Sequence, residues 1–347
     1  MKDIELLIRE NIKKLKPYSS ARDEYKGKEG IFLDANENAF GSAAEELHNR
    51  YPDPLQQELK AKVSKLKNVP IDNIFIGNGS DEPIDLLFRC FCNPGTDQCL
   101  IHTPTYGMYE VSAHINDVQI INIMLTSDFQ LNVDEALSKT TAFTKLMYIC
   151  SPNNPTGNTF KSDAITKLIN NFQGIVVLDE AYIDFCPDKS FLWQLEKYPN
   201  LVILQTLSKA WGMANLRVGL AFAHANIIQY LNKIKPPYNL SGSVQKYATA
   251  ALSYVEKKEK HVTQIILQRK WLEDSLRFLP MVTHIYPSDA NFLLVKMTDA
   301  QKIYDYLISK SIIVRDRSKV ALCDNCLRIT VGTGPENKKL IEELEKY

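Results

Sequence analysis

Short apolar segments alternate with amphipathic ones through the first part of the sequence, and this alternation constrains the fold more than any other feature. The apolar segments are rich in Ile, Val and Leu, and they are IDNIFIG (71–77), DQCLIHT (97–103), KLMYICS (145–151), GIVVLDE (174–180) and LVILQTLS (201–208). Segments between them, such as KSDAITKLINNF, have the apolar spacing of a helix. Apolar strands that alternate with helices predict a mostly parallel sheet covered by helices.

The pattern changes after Tyr238. A long charged stretch with helical spacing, at about 243–278, is followed by three strand-like segments, which are NFLLVKM, SIIVRDR and CLRITVG. This order predicts a second, smaller α+β lobe. We therefore expect a large domain over residues 36–245 and a small domain made of residues 1–35 and 246–347.

The balanced charge argues against highly charged partners such as nucleic acid or an anionic membrane, which bind proteins of high net charge. Lys and Arg total 41, as do Asp and Glu, so we expect neither nucleic acid nor a membrane surface as a partner. No apolar run reaches the roughly 18 residues that a membrane span needs. The seven cysteines are irregularly spaced. We interpret five of them as small buried apolar residues of a reduced compartment and so predict a cytoplasmic protein; these are Cys90, Cys92, Cys99, Cys150 and Cys186.

Polar residues follow one of these strands as a group that could hold an anion beside an amine. Lys209 lies just after the segment 201–208, where partial desolvation would lower its pKa and make the amine a nucleophile. Thr206, Ser208 and Arg217 add hydroxyls and a guanidinium, which suit a phosphate. For Lys209 alone, a solvated surface lysine remains the alternative.

A second candidate for anion binding follows the first apolar segment. Asn78-Gly79-Ser80-Asp81 leads from this strand into an apolar helix, and the free N–H groups of a helix start can bind an anion. An ordinary helix cap at Ser80 or Asp81 is the alternative. Ligands collect at the carboxyl ends of strands in open parallel sheets, so we expect both groups to meet there.

Two further segments place polar side chains at the same edge. Asp179 ends a fully apolar strand, where a carboxylate is costly unless a cation or a strong donor meets it. Tyr182 follows three residues later and is predicted to point its hydroxyl into the same crevice. Asn154 lies in the turn SPNNPTG after another strand. A helix cap or a surface acid is the alternative for Asp179, and a turn without function is the alternative for Asn154.

Three motifs together resemble the pyridoxal 5′-phosphate (PLP) site of the fold type I aminotransferases. They are NPTG, DEAY starting 25 residues later, and SKAWGMANLRVG, and they agree with that family in order and in spacing. The resemblance implies an α/β fold in which a large domain holds a mostly parallel seven-stranded sheet between helices and a smaller domain is α+β. It implies PLP as the cofactor and no metal, so that CDNC (323–326) is an incidental cysteine pair.

The resemblance implies catalytic roles for Lys209, Asp179 and Tyr182. Lys209 would bond covalently to the cofactor and, once substrate has released it, would move a proton between the substrate carbon and the cofactor. Asp179 would pair with the pyridine nitrogen and keep the ring an electron acceptor. Asn154 and Tyr182 would hydrogen-bond the phenolic oxygen of the ring, and Tyr106 would stack on its face.

The phosphate of the cofactor would be surrounded by residues from both groups described above. The residues implied for it are Ser80, Asp81, Thr206, Ser208 and Arg217. Tyr51 would reach the same phosphate from the other subunit. The resemblance therefore implies a homodimer with shared active sites.

A further set of motifs resembles, within that family, the histidinol-phosphate aminotransferases. The set comprises ANENAF (35–40), RYPDP (50–54), GNGSDEPIDLL, the NNPTG form of the turn, VRDRS and CLRITVGT. It implies reversible transamination of L-histidinol phosphate with 2-oxoglutarate, giving imidazole acetol phosphate and L-glutamate in histidine biosynthesis. The residues implied to bind the substrates are Tyr18, Asn36, Asn154, Arg315 and Arg328.

Other functions share most of this site. One alternative is an aminotransferase for another aromatic or phosphate-bearing substrate, and another is an enzyme like threonine-phosphate decarboxylase. A regulator that binds PLP without catalysis is a third, but its relatives carry a DNA-reading domain ahead of this fold. We expect no such domain here because no basic helix-turn-helix segment precedes residue 35.

Overall fold

A seven-stranded mixed sheet organises the larger lobe. The structure, a computed structural model, describes residues 4–18 and 30–347. The strands of this sheet are β1 (Ile74–Asn78), β2 (Gln98–Thr103), β3 (Gln119–Met124), β4 (Thr144–Cys150), β5 (Ile175–Asp179), β6 (Leu201–Thr206) and β7 (Val218–Ala223). Their spatial order is β1-β7-β6-β5-β4-β2-β3. Only β7 runs antiparallel to its neighbours, so the predicted mostly parallel sheet is confirmed.

Helices cover both faces of this sheet. They are α1 (Glu10–Lys14), α2 (Gln57–Lys67), α3 (Asp81–Phe91), α4 (Met108–Ile115), α5 (Val133–Lys139), α6 (Ser162–Asn171) and α7 (Ala225–Ile234). The central strand β5 shows why its sequence is apolar throughout. Val176 and Leu178 belong to the core on one face, whereas Ile175 and Val177 belong to the core on the other.

Strand β7 brings the loop after β1 close to the end of β6. Its sequence, VGLAFA, consists of small and apolar residues, and it was not among the predicted strands. A Cβ atom at Gly219 would overlap the backbone of Gly79 and Ser80, so only glycine permits this approach. The close packing places Ser80 beside the residues that follow β6.

The smaller lobe is built on a four-stranded antiparallel sheet. Its strands are β8 (Val282–Ile285), β9 (Phe292–Met297), β10 (Arg315–Asp316) and β11 (Cys326–Thr330), in the order β10-β11-β9-β8. The helices of this part of the chain are α8 (Gly242–Ala251), α9 (Val255–Leu276), α10 (Ala300–Ser309) and α11 (Gly334–Leu344). The α+β lobe expected from the sequence is therefore present. The charged stretch at 243–278 forms two helices, α8 and α9, rather than one.

The amino-terminal segment packs against the larger lobe. Ile4, Ile8 and Ile12 are buried in the same apolar core as Phe88 of α3, and the hydroxyl of Tyr230 donates a hydrogen bond to Glu5. Residues 1–35 were predicted to belong to the small domain, and of these residues 1–3 and 19–29 lie outside the described part of the chain. The domain boundaries otherwise remain a prediction. Among the described residues, no helix combines the length and the apolar character that crossing a bilayer requires.

Candidate active site

A cleft lies at the carboxyl ends of β4, β5 and β6. The residues that line it, which we call the inner cleft, are Ser80, Asp81, Tyr106, Cys150, Asn154, Asp179, Ala181, Tyr182, Thr206, Ser208, Lys209 and Arg217. All of these except Cys150 and Ala181 were predicted site residues. The expectation that the polar groups after separate strands meet at one sheet edge agrees with this arrangement.

Lys209 lies three residues after the end of β6, with its amine in the inner cleft. Its Nζ atom is 5.5 Å from the centroid of the Tyr182 ring. Desolvation lowers the pKa of Lys209, and the positive charge of Arg328 lowers it further, while Asp179 opposes the shift. Although the cleft leaves part of the side chain open to solvent, the surrounding protein thus increases the fraction of neutral, nucleophilic amine relative to a solvated lysine.

Asp179, the last residue of β5, is only 2% exposed. Its Oδ2 atom accepts a hydrogen bond from the Tyr109 hydroxyl at 2.6 Å, and its Oδ1 atom accepts one from the Ala181 N–H at 3.0 Å. Burial nevertheless raises the pKa of Asp179 to about 6. The result is an oriented carboxylate with a high affinity for a proton, which suits a partner such as a protonated ring nitrogen.

Tyr109 is a functional candidate that the sequence analysis did not identify. It lies on α4, is fully buried, and stacks on Tyr148 with ring centroids 4.6 Å apart. From the sequence we expected only that a carboxylate at Asp179 would need a cation or a strong donor. The sequence contained no signal for its position, because α4 reaches β5 only through the fold.

The end of the inner cleft near Ser80 has the composition of an anion site. Helix α3 begins at Asp81, and the Ser80 side chain makes no capping hydrogen bond. The Gly79 N–H donates to the backbone oxygen of Arg217 at 2.7 Å, which holds the loop against this arginine. The Arg217 guanidinium lies 3.4 Å from Asp81 Oδ2, and the Tyr106 hydroxyl donates to Asp81 Oδ1 at 3.0 Å. A helix start, hydroxyls and a guanidinium together favour a phosphate.

The two lobes meet across Asn154. Arg328, on β11 of the smaller lobe, donates a hydrogen bond from Nη1 to Asn154 Oδ1 at 2.6 Å. The cleft continues from here toward solvent, and this outer cleft is lined by Arg315, Arg317 and Arg328 together with Tyr182 and residues of the loop before α4. The structure therefore brings the predicted pair, Arg315 and Arg328, to the same opening as Lys209. Arg317 was not predicted.

Three predicted residues lie outside these clefts within one chain. Tyr18 is 74% exposed. Tyr51 stacks on Tyr238, with ring centroids 4.5 Å apart, and lines a separate opening beside Arg217. Asn36 lines another surface opening together with Tyr51. Their implied roles, of which that of Tyr51 depends on a second subunit, remain predictions.

The cysteines, all within the described residues, form no disulfide bonds and lie in the interior of the protein. All seven, including Cys323 and Cys326, are buried and free. This agrees with the interpretation of five of them as buried apolar residues, which are Cys90, Cys92, Cys99, Cys150 and Cys186. Within the described ranges, no group of three or more His, Cys, Asp or Glu residues is placed to hold a metal ion.

The donor set of the inner cleft fits the cofactor that the motifs imply. PLP carries an aldehyde, a ring nitrogen and a phosphate, and the cleft offers an amine at Lys209, a buried carboxylate at Asp179 and the anion site near Ser80. Residues 24–344 match the family model of the aminotransferases of class I and II. The chain belongs to this family.

The similarity to known proteins covers most or nearly all of this chain. A histidinol-phosphate aminotransferase of Cytophaga hutchinsonii is 57% identical over 99% of both chains. Among solved structures, the histidinol-phosphate aminotransferase of Clostridium acetobutylicum superposes with a TM-score of 0.80 at 23% identity, covering 86% of this chain and 90% of its own. That of Sinorhizobium meliloti, in complex with PLP, has a TM-score of 0.78 at 22% identity and covers 90% of each chain. The fold is that of the fold type I aminotransferases, as predicted.

Proposed function

We propose that the protein exchanges the amino group of L-histidinol phosphate with 2-oxoglutarate, giving imidazole acetol phosphate and L-glutamate, in histidine biosynthesis. The observation that carries the proposal is a pair of adjoining clefts that share Tyr106, Asn154, Tyr182 and Lys209. The inner cleft has an amine and a buried carboxylate, and the outer cleft has arginines. The high identity to a full-length histidinol-phosphate aminotransferase supports the choice of substrate.

The inner cleft would hold PLP through the chain's own polar groups. When bound, PLP supplies an acceptor for the amino group and an electron-withdrawing ring. Asp179 would accept a hydrogen bond from the ring nitrogen, oriented by Tyr109. Asn154 and Tyr182 would donate to the phenolic oxygen. The phosphate would be held by residues that line the inner cleft, which are Ser80, Asp81, Thr206, Ser208 and Arg217.

Lys209 would provide the reactive amine of the site. Because desolvation and the nearby charge of Arg328 lower its pKa, the neutral amine is more populated than that of a solvated lysine at the same pH. A neutral amine can accept the proton that leaves the substrate carbon and return it to another atom. The ring of Tyr182, 5.5 Å from Nζ, bounds the volume in which the amine can move.

The arginines of the smaller lobe would recognise the substrates. Arg315 and Arg328 are directly opposite each other on β10 and β11, so their guanidinium groups can approach one anion together. For the amino donor this anion would be the phosphate, with Tyr18 as a further contact, and for the dicarboxylate partner Arg328 would bind a carboxylate. Asn36 would contribute to the mouth of the same site.

We further propose that the protein acts in the cytoplasm as a homodimer. Tyr51 is half-exposed and lies outside the inner cleft of its own chain. This placement supports a role at the cofactor phosphate of the other subunit. The segment before it carries exposed apolar residues, including Leu33 and Phe40, which an interface between two chains would cover.

The proposal is tested by single-turnover reactions of the PLP-loaded protein with separate amino donors. Histidinol phosphate should change the absorption spectrum of the bound cofactor faster than phosphate-free histidinol or an aromatic amino acid at equal concentration, and glutamate should react in the reverse half-reaction. A protein that reacts with aromatic amino acids but not with histidinol phosphate would contradict the substrate. Release of carbon dioxide from threonine phosphate would instead indicate a decarboxylase.

A further inference from the structure

We infer that Arg317 is a third anion-binding residue of the outer cleft, which selects donors that carry a phosphate monoester. The inference rests on the proposed function and deepens it. The two arginines considered so far are sufficient for a carboxylate, whereas a phosphate monoester offers a third oxygen and a second negative charge. Arg317 lines the outer cleft together with the other two arginines, where its guanidinium can contact this additional oxygen.

The strand register places Arg317 beside the other two arginines. In β10 and β11, Arg315 is paired with Arg328 and Asp316 with Leu327. The Arg317 N–H donates to the backbone oxygen of Cys326 at 2.9 Å, which continues this pairing by one residue. Because side chains alternate between the faces of a strand, Arg315 and Arg317 lie on one face together with Arg328.

That face of the smaller sheet is turned toward the larger lobe. Leu294, which is paired with Arg328 across β9 and β11, is buried in the core of the larger lobe. Leu327 and Ile329, on the opposite face of β11, belong to the core of the smaller lobe. The arginine face therefore forms one wall of the outer cleft, and all three arginines line it.

Arg317 has none of the contacts that explain a structural arginine. Its side chain makes no hydrogen bond and no ion pair with any described residue, and its Nε atom is buried without an acceptor. The described arginines outside this wall each contact a carboxylate or a backbone carbonyl. These are Arg9, Arg50, Arg89, Arg217, Arg269 and Arg277. A half-buried guanidinium without an acceptor is unfavourable unless a ligand supplies one.

The local charges favour a dianion over a monoanion. Desolvation lowers the pKa of Arg317, and the charge of Arg315 lowers it further, but a guanidinium stays protonated in proteins. Asp316 accepts hydrogen bonds from the N–H and hydroxyl of Ser318 and lies on the other face. Glu110 is the one carboxylate that lines the outer cleft, and no ion pair joins it to these arginines within the described residues. Three positive charges thus converge with little compensation.

The test measures the two half-reactions of Arg317→Gln and Arg317→Lys with the PLP-loaded protein. In Arg317→Gln, KM for histidinol phosphate should rise by about tenfold or more, as expected for one lost charge-assisted contact. The maximal rate and the KM for glutamate should stay within about threefold. Inorganic phosphate should inhibit the reaction with histidinol phosphate less strongly by a similar factor. Arg317→Lys retains the positive charge but not the bidentate guanidinium. Its KM for histidinol phosphate should lie between those of the wild type and Arg317→Gln.

Lys319→Gln is the matched control. Lys319 is exposed on the same loop and does not line the outer cleft, so this variant removes an equal charge without removing the proposed contact. Its half-reactions and its inhibition by phosphate should match those of the wild type. A general effect of net charge would instead appear in both variants.

The outcomes separate the inference from the proposed function. If the wild type does not react with histidinol phosphate, both fail. If the wild type reacts and Arg317→Gln behaves like it, only the inference fails. The inference would also fail if either Arg317 variant reacted with histidinol phosphate and with glutamate more slowly by the same factor. That result would indicate a structural role for Arg317. If Arg317→Gln does not fold, Arg317→Lys decides by the same comparison.

Discussion

Replacement of Asp179 by Asn should stabilise the cofactor-free protein at pH 8, although it removes the proposed partner of the ring nitrogen. Burial raises the pKa of this carboxyl from 3.8 to about 6 in the folded chain. The folded protein therefore binds the proton more tightly than the unfolded chain, and stability falls as the pH rises from about 4 to about 6. Above that range the full cost of the buried carboxylate is present.

The expected change in the free energy of unfolding follows from the pKa shift of Asp179 and from the two hydrogen bonds that its carboxylate accepts. A change from 3.8 to about 6 corresponds to about 3 kcal/mol above pH 6. In Asp179→Asn the amide oxygen can still accept from the Tyr109 hydroxyl, but the Ala181 N–H loses its acceptor, which costs about 1 kcal/mol. The variant should thus be more stable than the wild type by about 2 kcal/mol at pH 8. At pH 4.5 the two effects should roughly cancel.

The assay is equilibrium unfolding in urea at both pH values, after a carbonyl reagent and dialysis have removed the cofactor. Removal matters because a bound pyridinium would lower the pKa of Asp179. Protein concentration is held constant, since dimerisation would contribute to apparent stability. Asp134→Asn serves as the control. Asp134 is 87% exposed and pairs with Lys167 at the surface, and such a pair contributes little, so the change should stay within about 1 kcal/mol at either pH.

The reasoning would be refuted by a difference between Asp179→Asn and the wild type that is the same at pH 4.5 and pH 8. It would also be refuted if the wild type were the more stable protein at pH 8. In the PLP-loaded form the same variant should lose most of its transamination rate, which separates stability from function.

The remaining predictions concern Lys209, Arg315 and Tyr51. Lys209→Ala should lose both turnover and borohydride trapping of the cofactor, and a reduced adduct on another lysine would contradict the assignment. Arg315→Leu should weaken the reaction with histidinol phosphate at least about tenfold more than that with glutamate; equal losses would exclude phosphate selectivity. Tyr51→Phe and Lys209→Ala chains, refolded together in equal amounts, should form about half heterodimers, so roughly a quarter of all sites become native. If mass spectrometry detects heterodimers but the activity equals the mean of the two unmixed variants, Tyr51 does not contribute to the active site of the partner subunit.

The sequence alone predicted the strands that are buried on both faces of the large sheet. Strands β1, β2, β4, β5 and β6 were evident because runs of Ile, Val and Leu have few other structural explanations. Strand β7 was missed because its small residues serve the close approach of the loop after β1, which is a requirement of the fold. Its antiparallel position between β1 and β6 likewise depends on contacts that are distant in sequence.

The same division applies to the site. The placement of Lys209 and Asp179 could be predicted, because polar residues at or shortly after the end of an apolar strand lie at one edge of the sheet. Tyr109 and Arg317 could not be predicted in this way. Tyr109 reaches Asp179 only because the fold brings the start of α4 close to the end of β5. Arg317 joins Arg328 only through the pairing of a two-residue strand, β10. Local chemistry identified what the strand ends carry, whereas register and packing decided which side chains from distant segments meet them.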